Sequence, residues 1–156
     1  MKGGSYWILF ATLGCVLYML HCTAQKRDFQ ILQTPLRSLT DSMLHEKYPI
    51  LVYDQLRDLS YLIRNVFRFQ YLFVARPALG PSKVTRVRTR FILLHNLGDE
   101  EIAISIGPNQ ESMIPIAMEP YNLLILPAGW YFMSDQTSSL GALALNDLSH
   151  RLFLAH

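Results

Sequence analysis

The stretch Asn122-Leu-Leu-Ile-Leu-Pro-Ala-Gly-Trp-Tyr-Phe132 decides the fold class. It opens with a short apolar run, continues through Pro127 and Gly129, and ends in an aromatic run. Pro and Gly placed between two such runs are typical of a tight turn that joins two strands. The stretch therefore predicts a strand, a turn and a second strand.

Similar short segments, separated by Gly, Pro and Asn, occur on both sides of this stretch. A helix is predicted from about residue 58 to 67, because apolar residues recur there at spacings of three and four. Thr40-Asp41 could cap a further short helix that runs through His45. Strands at a spacing of about 8–12 residues are typical of an antiparallel β-sandwich or jelly roll. Such strands are predicted at 48–54, 69–74, 84–95, 101–106, 113–118, 122–126, 130–133, 140–145 and 151–155.

The segment Glu119–Phe132 resembles the second motif of the cupin family. In that motif Gly-Asp opens a strand, Pro-x-Gly makes a turn, and a metal-binding His follows three residues after that Gly. Pro127 and Gly129 match the motif, but Tyr121-Asn122 replaces Gly-Asp and Phe132 replaces the His. The upstream segment Leu93–Ile102 also resembles a strand–turn–strand of such a domain. The resemblance implies a cupin-like jelly roll with a degenerate motif at Asn122, Pro127, Gly129 and Phe132.

Ligands for a metal are not arranged as in that family. The first cupin motif supplies a His-x-His pair and a downstream Glu to one metal, and this sequence has no His-x-His. A site made from His45, His95 and His150 remains a minor alternative. The sequence also lacks a Gly-x-Ser-x-Gly elbow, a phosphate-binding Gly loop and a zincin His-Glu-x-x-His. We therefore expect no catalytic residue, no cofactor and no metal, and a non-enzymatic protein.

An uncharged apolar run at Ser5–Ala24 precedes Lys26-Arg27. A helix of that length would span a hydrocarbon core of ~30 Å at ~1.5 Å per residue. The prediction is an anchor at 1–25, a stalk at 26–47 and a β-sandwich with a leading helix at 48–156. The alternative is a signal peptide cleaved after Ala24, which would give a secreted module. The anchor residues are Tyr6, Trp7, Ile8, Leu9, Phe10, Leu13, Val16, Leu17, Tyr18, Met19 and Leu20.

The charges that flank the apolar run predict the side of the membrane on which the C-terminal domain lies. Lys26 and Arg27 follow the run while Lys2 stands alone before it, which places the C-terminal domain on the cytosolic side. The chain has two cysteines, both inside the run, and no Asn-x-Ser/Thr acceptor, as expected on a reducing side. Its 14 Lys and Arg against 12 Asp and Glu leave a net charge of +2, which argues against a general nucleic-acid binder.

Arg86, Arg88 and Arg90 alternate with Val87 and Thr89. In a single strand this period of two would place all three guanidinium groups on one face. That face is a candidate interface for an anionic headgroup, an acidic partner or nucleic acid. The alternative is a solvated edge strand that charge protects from aggregation.

The layout resembles small membrane-anchored proteins of large icosahedral DNA viruses, which link an internal membrane to a capsid shell. The segments Tyr48–Leu56 and Phe67–Phe73 carry this resemblance. It implies a minor capsid protein whose partners are the bilayer and other structural proteins, without nucleic acid. The alternatives are a membrane-tethered, cupin-like small-molecule-binding or metal-dependent enzyme domain, and the secreted module.

Overall fold

The computed structural model describes residues 29–54, 56–57, 59–67 and 73–147. The predicted anchor at 1–25, its alternative cleavage site at Ala24, the predicted strand at 151–155 and His150 all lie outside these residues.

Ten strands form two sheets in the described part of the chain. They are β1 Leu32–Thr34, β2 Ile50–Val52, β3 Phe73–Ala75, β4 Thr85–Arg86, β5 Phe91–Asn96, β6 Ile102–Gly107, β7 Ile114–Met118, β8 Leu123–Pro127, β9 Tyr131–Ser134 and β10 Leu140–Asn146. The helical segments are short. They are α1 Asp41–His45, α2 Leu59–Leu62 with a π-helical continuation at Ile63–Phe67, and 3₁₀ turns at Leu36–Ser38 and Thr137–Ser139.

The strand order is that of a jelly roll. One sheet contains β3-β10-β5-β8 and the other β4-β9-β6-β7, and all of these neighbours are antiparallel. Eight strands arranged in this way form the double-sheet architecture that cupins also have. β2 adds to the β8 edge and β1 pairs with β2 in parallel, so the larger sheet has six strands.

Apolar side chains fill the space between the two sheets. Leu94 and Leu126 of the six-stranded sheet pack in one cluster with Ile104 and Phe132 of the four-stranded sheet, and Trp130 completes it. Ile102, Ile104 and Ile106 of β6 all belong to this cluster, as their alternation in the sequence indicates.

The six-stranded sheet is buried on its second face as well. Leu93, Leu123 and Ile125 point away from the other sheet and pack against Leu44 of α1 and Leu62 of α2. Burial on both faces explains why β5 and β8 are almost continuously apolar instead of alternating.

The predicted fold class is corrected. In the ranges that the structure covers, no helix is long and apolar enough to cross a membrane. The fold class therefore becomes mainly β, with ten strands in two sheets and short helices in the described residues. The sheets are also not purely antiparallel, because β1 forms within the segment expected as a stalk and pairs in parallel with β2.

The strand predicted at 84–95 is wrong, because the chain crosses there from one sheet to the other. β4 ends at Arg86 and β5 begins at Phe91. In between, the Val87 amide donates to the Trp130 carbonyl at 2.8 Å, and the Val87 carbonyl accepts from the Gly129 amide at 2.9 Å. These bonds join the chain just after β4 to the turn between β8 and β9, and residues 87–90 belong to neither strand.

Asn96 joins the two sheets at their opposite end. Its buried side-chain Nδ2 donates to the carbonyls of Glu100, at 2.8 Å, and Met118, at 3.0 Å. Its Oδ1 accepts from the Gly98 amide at 3.0 Å. The end of β5 is thereby tied to the turn that follows it and to the end of β7.

Replacing Asn96 with Ala should lower the free energy of unfolding by about 2–4 kcal/mol, because buried amide and carbonyl groups lose their partners. Urea denaturation of the purified protein measures this loss. Asn109→Ala is the matched control. The Asn109 side chain also accepts backbone bonds, from Glu111 and Ser112, but it is exposed and water can replace it. Equal losses in the two variants would contradict the role given to Asn96.

Candidate functional site

The degenerate cupin motif forms the turn between β8 and β9. Pro127 ends β8, and Gly129 has a φ of 87°, a conformation that favours glycine. Phe132 is 3% exposed and lies in the cluster between the sheets. The position of the cupin metal-binding His is therefore occupied by an aromatic ring in an apolar interior.

The position of the motif's glycine is occupied by Tyr121, which has a φ of 64°. Its hydroxyl donates to Asp99 Oδ1 at 2.8 Å, and the Arg57 guanidinium lies 5.4 Å from the centre of its ring. The hydrogen bond to Asp99 and the charge of Asp99 raise the pKa of Tyr121, while Arg57 opposes them. Asn122 is buried, and its Oδ1 has no hydrogen-bond partner within the described residues.

The structure describes two of the three candidate histidines, His45 and His95, and His150 lies outside the described residues. His95 is 1% exposed at the end of β5, and its position in the strand places it on the helix-covered face together with Leu93. His45 is exposed in α1, with its Nε2 3.6 Å from Asp41 Oδ2. In the described ranges no group of three or more His, Cys, Asp or Glu could hold a metal ion.

Burial lowers the pKa of His95, and hydrogen bonding to the backbone of Leu56 and Tyr121 opposes this effect. Its Nε2 has no hydrogen-bond partner in the described part of the chain. The folded protein therefore favours the neutral imidazole.

The free energy of unfolding should therefore fall as the pH drops below about 6.5, because the unfolded state then binds a proton that the folded state resists. A single such group contributes at most about 1.4 kcal/mol per pH unit. Urea denaturation between pH 7.5 and 5 should show a steeper loss for the natural protein than for His95→Gln. Parallel curves for the natural protein and His95→Gln would contradict this assignment.

The structure separates the three arginines of the predicted interface. Arg90 forms an ion pair with Asp147 at 3.5 Å. Arg86 lies in β4 opposite Tyr131 of β9, and its guanidinium is 5.8 Å from the centre of that ring. Arg88 lies in the crossing between the sheets. Arg86 and Arg88 line a common cleft, and the lining does not include Arg90.

This cleft has a volume of about 770 Å³. Its walls come from the loop before β4, from β4 itself, from the turn between β6 and β7 and from the start of β9. Three cations contribute to the lining, which contains no Asp or Glu. The lining residues are Ala78, Leu79, Gly80, Lys83, Val84, Thr85, Arg86, Arg88, Gln110 and Tyr131.

The sequence pattern identified Arg86 and Arg88 of the cleft, but it did not identify the polar residues Tyr131 and Gln110. Tyr131 reaches the cleft because β9 pairs with β4, and Gln110 because the β6–β7 turn lies at the same end of the sheet. Neither residue stands in a recognisable motif, and only the strand order could have identified them.

Comparisons with known proteins match no family model and no curated protein. Among solved structures, the chain is similar to QdtA, a sugar 3,4-ketoisomerase from Thermoanaerobacterium thermosaccharolyticum in complex with TDP. The sequences are 14% identical and the TM-score is 0.34. The match covers 53% of this chain and spans 63% of the isomerase chain.

The prediction of a non-enzymatic protein is not upheld, since the solved structure found to be similar is that of an enzyme. At this identity and TM-score, the likeness assigns neither an activity nor a ligand to the present chain. The comparisons give no support to the predicted capsid role.

Proposed function

We propose that this protein is a ligand-binding domain of cupin-like, jelly-roll architecture, and that it binds a small anion in the cleft beside β4. The observation that carries the proposal is the presence of Lys83, Arg86 and Arg88 in one cleft whose lining contains no carboxylate. This function develops the small-molecule-binding alternative from the sequence. The capsid-linking hypothesis is not part of it.

The charges of the cleft favour an anion. A concave surface lined by one sign of charge focuses the electric field and attracts ligands of opposite charge. Arginine adds a planar fork of donors that matches phosphate, sulfate and carboxylate oxygens. The Arg86 guanidinium is held against the Tyr131 ring, so that less side-chain freedom would be lost on binding.

The size of the cleft suits a small molecule. Its volume of about 770 Å³ lies in the range of about 300–1,000 Å³ that is usual for small-molecule sites. Among the described residues, Ile104, Trp130 and Phe132 pack with other buried apolar side chains in the space between the sheets.

The test is calorimetric titration of the purified protein with inorganic pyrophosphate at low salt. Binding should be saturable, and it should weaken as the ionic strength rises, because salt screens the charges. Replacing Arg86 with Gln should weaken it at least about tenfold, since a hydrogen bond to a charged group contributes about 1.5–3 kcal/mol.

The matched control is Arg37→Gln, because Arg37 is an exposed arginine in the 3₁₀ turn after β1 and lies outside the cleft lining. It should leave the affinity unchanged. The proposal fails if binding is not saturable, or if the two arginine variants weaken it equally.

A further inference from the structure

The cleft has an apolar wall beside its cations. Ala78, Leu79 and Val84 line it together with Lys83, Arg86 and Arg88. Val84 is 37% exposed, while Leu79 is half-buried and packs against the core between the sheets. A site for a free inorganic anion has no need of such a wall, because phosphate and pyrophosphate have no apolar surface to bury.

Hydrogen bonds hold the loop that carries this wall. The Ser82 amide donates to the Ser134 carbonyl at 3.1 Å, and the Ser82 hydroxyl donates to Asp135 Oδ1 at 2.7 Å. The Lys83 amide donates to the Gly80 carbonyl at 3.4 Å. The apolar wall and the cationic residues are therefore fixed to the same four-stranded sheet, one through the end of β9 and the other through β4.

From this arrangement we infer that the ligand is an organic phosphate monoester whose organic part is apolar or aromatic. The inference rests on the proposed function and specifies its ligand class. The dianionic phosphate lies among Lys83, Arg86 and Arg88, where three cations suit a doubly charged group better than a single carboxylate. The organic part lies against Leu79 and Val84, where it covers apolar surface that is otherwise in contact with water.

The test compares two monoesters that differ only in their organic part. Methyl phosphate and phenyl phosphate carry the same charged group, and calorimetric titration of the purified protein at low salt measures both affinities. Phenyl phosphate should bind roughly tenfold more tightly, because partial burial of an aromatic ring is expected to give about this gain.

Two variants test whether the tighter binding of phenyl phosphate comes from contact with the apolar wall of the cleft. Val84→Asn should reduce the advantage of phenyl phosphate to less than about threefold and leave methyl phosphate unchanged, since the apolar contact is lost and the cations remain. The matched control is Ile114→Asn, because Ile114 is a 41% exposed apolar residue of β7 outside the cleft lining. It should leave both affinities unchanged.

The outcomes separate the two proposals. Equal binding of the two monoesters to the natural protein would overturn the ligand class while the anion site stands. An advantage of phenyl phosphate that survives in Val84→Asn would also overturn it. If neither monoester nor pyrophosphate binds saturably, the anion site itself is wrong.

Discussion

Backbone hydrogen bonds between two neighbouring chain crossings determine the geometry of this domain. The chain passes from the four-stranded to the six-stranded sheet at residues 87–90, and it returns at residues 128–130. Val87 bonds to both Gly129 and Trp130, and the Arg90 carbonyl accepts from the Ala128 amide at 3.0 Å. These hydrogen bonds connect the two crossings to each other. The left-handed backbone conformation of Gly129 allows the second crossing to form a tight turn.

The cleft follows from this constraint. Because β4 ends where the crossing begins, Arg86 stays on the four-stranded sheet opposite Tyr131. Arg90 lies at the end of the crossing, directly before β5, and pairs with Asp147. A continuous strand would have kept the three arginines in one row. The crossing instead leaves Arg86 and Arg88 in the same cleft as Lys83, so positive charge is concentrated in this cleft.

Local sequence patterns predicted the strands and turns that depend mainly on residues close to them in the sequence. The stretch 122–132 gave its strand, turn and strand because Pro127 and Gly129 mark the turn by their own backbone preferences. β6 followed from its alternation, since one of its faces is buried while Ala103 and Ser105 on the other face are exposed or half-buried. These features depend on neighbours in the sequence, so the sequence alone was sufficient.

The predictions that were wrong or missing concern features that depend on residues distant in the sequence. Arg86, Arg88 and Arg90 alternate as in a strand, but β4 ends at Arg86 and β5 begins at Phe91 in the other sheet. Leu32–Thr34 is extended because it pairs with β2, and nothing in its own composition indicates a strand. The same limit applies to the cleft, where Tyr131 and Gln110 join the cations only through the strand order.

Because the chain departs from the cupin motif, metal binding is not expected at the position of the motif's His. Gly129 retains the conformation that the turn needs, whereas Phe132 places a ring where the motif has its metal-binding His. A histidine at this position would meet Ile104, Trp130 and other apolar side chains of the same cluster, with no second ligand among them. Burying an unpaired imidazole there would cost free energy without assembling a metal site. The turn can thus keep its structural role, while Tyr131, the neighbour of Phe132 in β9, lines the cleft with Lys83, Arg86 and Arg88. There Arg86 and Tyr131 lie next to each other on β4 and β9.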